Sequence, residues 1–148
     1  MGTLRFDHVG VVVDDLGTAA AFFERLGFER QGATTVEGEV VDGINGLDGV
    51  RAELLFVRTP DGSGTLELIK YHAPADGHGA EAPPPNRPGF RHVCIEVDDL
   101  NAIVDGLRRD GFDTVGEVRD YGTSYRLCYL RGPEGLIVEL AERLAAPS

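Results

Sequence analysis

The sequence predicts an α+β fold of two tandem βαβββ modules, their strands forming a cup-shaped, curved mixed sheet with the helices on the outside. Two observations carry that expectation. Residues 6–28 read FDHVGVVVDDLGTAAAFFERLGF and residues 90–112 read FRHVCIEVDDLNAIVDGLRRDGF, a match without a gap. Phe6/Phe90, His8/His92, Val9/Val93, Val13/Val97, the Asp-Asp-Leu triplets and the closing Gly-Phe pairs coincide. A looser pair follows: Pro60-Asp61-Gly62 leads to Leu66-Glu67-Leu68, and Pro133-Glu134-Gly135 leads to Val138-Glu139-Leu140. Such repeats define architecture before any single motif does. Each module supplies one early His and one late Glu.

In the first module, Val9, Val11 and Val13 share one strand face, with Phe6, His8, Gly10 and Val12 on the other. Asp14 or Asp15 caps a helix whose apolar positions Ala19, Phe23 and Leu26 recur at helical spacing, and Gly27 ends it. Two strands are expected around Glu29–Val41 and Ala52–Arg58, with a short helical turn in the Gly- and Asp-rich stretch between them, Asp42–Gly49. Pro60-Asp61-Gly62 is a turn by composition. The strand Thr65–Tyr71 then places Glu67, Ile69 and Tyr71 opposite Leu66, Leu68 and Lys70. Residues 72–89 hold five prolines and three glycines without periodicity, as an extended linker would.

The second module repeats the plan. Its strand Phe90–Val97 carries His92, Cys94 and Glu96 on one face and Val93, Ile95 and Val97 on the other. Asp98 or Asp99 caps a helix with Leu100, Ile103, Val104 and Leu107 inward, and Gly111 closes it. Strands are expected near Asp113–Arg119, Ser124–Leu130 and Leu136–Ala141. The chain is therefore read as one domain, 1–148, made of module 1 (4–71), the linker (72–89) and module 2 (90–142). A four-stranded sheet with one helix leaves a face bare, and two such half-sheets can cover one another by curling into a shared cup.

Bulk properties narrow the function classes. The 148 residues suffice for a core, and 42% apolar with 26% charged residues is a globular composition. A net charge of −11 argues against a nucleic-acid partner. No apolar run approaches membrane-spanning length, and the opening residues carry no export signal pattern. The expected location is the cytoplasm. Cys94 and Cys128 are then expected as reduced, packed thiols rather than a disulfide.

By strand parity, His8, Glu67, His92 and Glu139 all face away from the helices. If the first and last strands of each module are neighbours, two imidazoles and two carboxylates converge. Such nitrogen and oxygen donors suit one divalent ion with open positions for water or substrate. A lone strand His is more often a satisfied core residue, but here the same pair recurs at equivalent places in both halves.

The paired DHVG and RHVC openings, the VDDL caps, FFERLGF, and the Pro-acidic-Gly turns leading to LEL and VEL resemble the vicinal oxygen chelate superfamily, the group of glyoxalase I, bleomycin-resistance proteins and extradiol dioxygenases. The resemblance spans both modules. It implies the paired βαβββ fold, a homodimer, and a metal site at His8, Glu67, His92 and Glu139. Among its branches, the metal-bearing isomerases and lyases fit best, with a nickel, cobalt, zinc, manganese or iron ion and a small-molecule substrate. Glyoxalase I proteins usually follow the first-module Glu with a Thr-Asn-type signature that helps hold glutathione, where this chain has Glu67-Leu68-Ile69-Lys70-Tyr71.

The chemistry such a site favours is proton transfer beside a carbonyl in a small α-oxygenated compound or thioester, through a metal-stabilised enediolate. Glu139, or alternatively Glu67, moves the proton, and Glu96 is a further candidate. Arg51, Tyr121, Tyr125 and Arg126 are candidate substrate-holding groups, whereas His72 and His78 are expected to be solvated. Two other readings stand beside this one. One is a metal-free small-molecule binding protein of the bleomycin-resistance kind; the other is an iron dioxygenase in which Glu67 does not ligate.

Overall fold

The opening valine stripe forms β1 (Val9–Val12) in the computed structural model, which describes residues 2–144. The chain divides into two compact units, Met1–Ala80 and Glu81–Ser148, so the boundary falls inside the expected linker.

In the first unit, β1 is followed by α1 (Leu16–Arg25), β2 (Glu29–Glu37), α2 (Glu39–Asn45), β3 (Arg51–Arg58) and β4 (Thr65–Ala73). The sheet order is β1-β4-β3-β2, with β1 and β4 parallel. The first and last strands are thus neighbours, as the site argument requires. Asp15 caps α1: its carboxylate accepts from the Thr18 N–H at 3.0 Å and from the Thr18 hydroxyl at 2.8 Å. Helix α1 packs on β3 and β4, where Ala19 and Phe23, one turn apart, join Val57, Leu66 and Leu68 in the core. Burial of these apolar groups, not helix propensity, holds so short a helix in place.

Two details differ from expectation. Strand β2 ends at Glu37 because Gly38 adopts φ +111, and the helical turn is a two-turn helix, α2, that starts earlier than Asp42. The Asp42 side chain accepts from the Gly49 and Val50 N–H groups at 2.9 and 2.7 Å. That ties the loop back to the helix.

In the second unit, β5 (His92–Val97), α3 (Leu100–Arg109), β6 (Asp113–Thr114), β7 (Arg119–Tyr121), β8 (Tyr125–Arg131) and β9 (Ile137–Arg143) follow one another. The order is β5-β9-β8-β6 with β7 also on β8, and β5 runs parallel to β9. Asp99 caps α3 through the Ala102 N–H, and Leu100, Val104 and Leu107 are buried along with Leu130, Val138 and Leu140. The strand expected at Asp113–Arg119 is instead two short pieces: Thr114 turns its hydroxyl onto the Gly116 carbonyl at 2.6 Å and β6 stops there. At the Pro133-Glu134-Gly135 turn, Gly135 has φ +77, and a Cβ on it would strike the Glu81 carbonyl. Only glycine fits both demands.

Candidate metal and proton-transfer site

Strand pairing places the repeated His and Glu identically in the two units. Gly10 on β1 is the register partner of Glu67 on β4, and Cys94 on β5 is the partner of Glu139 on β9. Each histidine stands two residues before that partner, on the same face, so its ring reaches diagonally to the carboxylate. His8 Nε2 lies 3.6 Å from Glu67 Oε2, and His92 Nε2 lies 3.2 Å from Glu139 Oε1. Glu67 and Glu139 are only 18% and 20% exposed, while the two rings are about one-third exposed at 35% and 33%. Both pairs therefore sit at a surface, with the carboxylate the deeper member.

The surroundings of the two pairs differ. In the first unit, His8 Nδ1 is 2.7 Å from the Asp7 carboxylate, and Asp7 also takes a 2.6 Å bond from Arg5. The His8 bond, followed by the charge of Arg5, holds the Asp7 carboxyl below its ordinary range. An ionised carboxylate only accepts, so Nδ1 carries the hydrogen that Asp7 receives, and Nε2 is turned toward Glu67. Phe56, the β3 partner of Glu67, stands edge-on to His8, with centroids 6.0 Å apart at 82°.

In the second unit, the residue before His92 is Arg91, and support comes from elsewhere. Tyr129, the β8 partner of Glu139, tilts over the His92 ring with centroids 4.9 Å apart at 37°. On the other side of Glu139 stands Cys94. Cys94 is exposed on the site face, which corrects the expectation of a packed thiol there; Cys128 is the buried one. Partial burial, with Glu139 the next cause, pushes the Cys94 thiol up. Burial pushes Cys128 up to about 11.

Other singled-out residues have different surroundings. Arg126 lies on the opposite face of the sheet from Glu139, held by Asp120 at 2.8 Å and Glu142 at 3.5 Å. Tyr121 is exposed on β7, and Arg51 is exposed at the start of β3. Tyr125 lies under the Arg143 guanidinium, 5.5 Å from its ring centroid, and that arginine also reaches Glu96 at 3.5 Å. His72 belongs to β4 and bonds Glu53 at 2.7 Å rather than facing solvent alone; His78 bonds Asp76 at 3.0 Å. Sequence reasoning passed over Asp7, Phe56 and Tyr129. The last two could be found only through strand register, which a repeat of the glutamates does not reveal.

Each His–Glu pair offers one ring nitrogen and one carboxylate, a donor set suited to a divalent ion of intermediate hardness. Among the described residues, no group of three or more His, Cys, Asp or Glu side chains is gathered for a metal. The described contacts are pairs, one per unit.

Comparison with known families fits this arrangement. The family model of the glyoxalase/bleomycin resistance protein/dioxygenase superfamily matches residues 7–129. The chain belongs to that superfamily. A glyoxalase family protein from Bacillus cereus has the same fold with a TM-score of 0.94 at 38% identity, over 98% of this chain and 97% of that one. Among curated superfamily relatives, human mitochondrial methylmalonyl-CoA epimerase is 29% identical, over 93% of this chain and 73% of its own. Lactoylglutathione lyase of Schizosaccharomyces pombe is 26% identical, over 97% of this chain and 46% of the relative.

Proposed function

We propose that this superfamily member is a metal-dependent isomerase or lyase that moves a proton beside a carbonyl in a small α-oxygenated compound or thioester. One observation carries the reading: the same His–Glu contact is built twice, at 3.6 and 3.2 Å, on equivalent strands. The epimerase and the lyase among the relatives support it.

In this reading His8, Glu67, His92 and Glu139 are metal ligands, and the protein is a homodimer. The donor chemistry fits, because His8 already has its Nδ1 proton committed to Asp7 and presents Nε2. When bound, the ion supplies Lewis-acid polarisation of two neighbouring substrate oxygens.

The chain's own residues do the rest. Asp7 fixes the tautomer of His8, and Phe56 and Tyr129 hold the two rings in orientation. Glu139 takes the proton from the carbon beside the carbonyl and returns it, with Glu67 as the matching carboxylate on the other half. Substrate carboxylates or phosphates would find Arg51 and Tyr121 on exposed strand ends.

The test is deuterium exchange from D2O into a panel of small α-hydroxyketones, α-ketoaldehyde hemithioacetals and thioesters, read by NMR. Exchange that needs a divalent ion and falls at least about 100-fold in Glu139→Gln supports proton transfer. Tight binding of panel members with no exchange supports a binding protein in its place.

A further inference from the structure

The arm that leads into the second unit lies against that unit's own Pro133-Glu134-Gly135 turn, and a cavity of about 300 Å³ lies between them. Its walls include Glu81, Arg87, Phe90 and Arg91 from the arm, with Glu134 and Ile137 from the turn and the start of β9. That volume is at the small end of the range for ligand pockets, about 300–1,000 Å³. The arm is seated closely, since a Cβ on Gly135 would strike the Glu81 carbonyl. Arg91 Nε is shielded from solvent and, among the described residues, has no hydrogen-bond partner. A buried donor without an acceptor costs free energy, which an incoming acceptor removes. A Cβ on Gly89 would come within 3.2 Å of Arg91 Nη2, so the guanidinium rests against the arm's own backbone. Beside it Phe90 is fully exposed, an apolar ring presented to water at the cavity wall.

We propose that this cavity binds a small organic monocarboxylate, its carboxylate on the Arg91 guanidinium and its apolar body against Phe90 and Ile137. A guanidinium offers parallel N–H donors along one edge, the geometry that a planar carboxylate accepts. Pairing there satisfies Nε and neutralises the charge together. The walls also select the ligand's charge. Arg87 is already held by Glu81 at 2.9 Å, and the lining sets two glutamates against two arginines. A dianion such as phosphate therefore meets repulsion, whereas a single negative charge is matched by Arg91. Neither His92 nor Glu139 lines the cavity, so the proposal stands apart from the metal reading.

Benzoate is the probe, with benzamide as its neutral isostere and inorganic phosphate as the competing anion. NMR follows the proton–nitrogen correlation of the Arg91 Nε–H, assigned by its loss in Arg91→Lys. Benzoate is expected to shift this signal saturably with a Kd on the order of 1 mM. Benzamide and phosphate are expected to bind at least about tenfold more weakly. Followed through the benzoate ring protons, affinity is expected to fall at least about tenfold in Arg91→Ala and about threefold in Phe90→Ala. A wild-type Arg91 signal that benzoate leaves unmoved overturns the site. Benzamide binding as well as benzoate, or an unchanged benzoate affinity in Arg91→Ala, overturns the role of the guanidinium. Phosphate binding as tightly as benzoate overturns the selection of a monocarboxylate.

Discussion

The Asp7 carboxylate holds His8 from behind, 2.7 Å from Nδ1, and thereby aims Nε2 at Glu67. A carboxylate behind a metal-binding imidazole raises its basicity and locks its ring, and losing one typically costs 10–100-fold in affinity. Asp7→Ala is therefore expected to weaken cobalt binding by about tenfold or more. Arg91→Ala, at the matching place before His92, is expected to change it by less than about threefold. Isothermal titration calorimetry distinguishes the two.

The helix-side core should be costly to open. Leu130 is fully buried on β8 and pairs with Val138 across the sheet. Leu130→Ala is expected to destabilise the protein by about 2–5 kcal/mol, read as a lower midpoint in urea unfolding.

Helix α3 starts at a single side-chain bond, from the Ala102 N–H to the Asp99 carboxylate at 3.1 Å. Removing it in Asp99→Ala is expected to cost about 1 kcal/mol. Asp99→Asn or Asp99→Ser should recover most of that in the same urea experiment.

Acid stability has a local contributor in the Pro60-Asp61-Gly62 turn. Hydrogen bonds from the Ser63 N–H, the Ser63 hydroxyl and the Thr59 hydroxyl hold the Asp61 carboxyl down at about 2, from 3.8. A depressed folded value means that this contribution is complete above about pH 4 and is lost as pH falls through about 2. The Tm gap between wild type and Asp61→Ala is expected to be constant near neutrality and to close between about pH 4 and 2. A gap that persists at pH 2 contradicts this assignment.

Much of the fold was legible because it is written twice. The gapless match of residues 6–28 with 90–112 located α1, α3 and their caps, and the caps proved to be Asp15 and Asp99. Strand parity put His8, Glu67, His92 and Glu139 on the side away from the helices, and the contacts among the described residues are the pairs His8 with Glu67 and His92 with Glu139. Boundaries set by single side chains were harder to read. Asp42 bonding forward to Gly49 and Val50 tied the following loop to α2, and Thr114 bonding to Gly116 cut β6 short. Both are local competitions between side chain and backbone that periodicity does not register. Cross-strand neighbours were also hidden. Phe56, Cys94 and Tyr129 reach the glutamates only through the register of strands distant in sequence. Strand β1 starts at Val9 rather than Phe6, and both Phe6 and Phe90 are exposed although they open the repeat. Their alignment marked the repeat without marking core positions.

Elemental mass spectrometry of protein purified without chelator decides whether the His and Glu residues hold a metal. About one divalent ion per chain is expected, reduced to a small fraction in His92→Ala and in Glu67→Ala. Nickel, cobalt, zinc or manganese would accord with isomerase or lyase chemistry. Protein that carries no metal, and binds none of these ions or iron when each is offered, would contradict it.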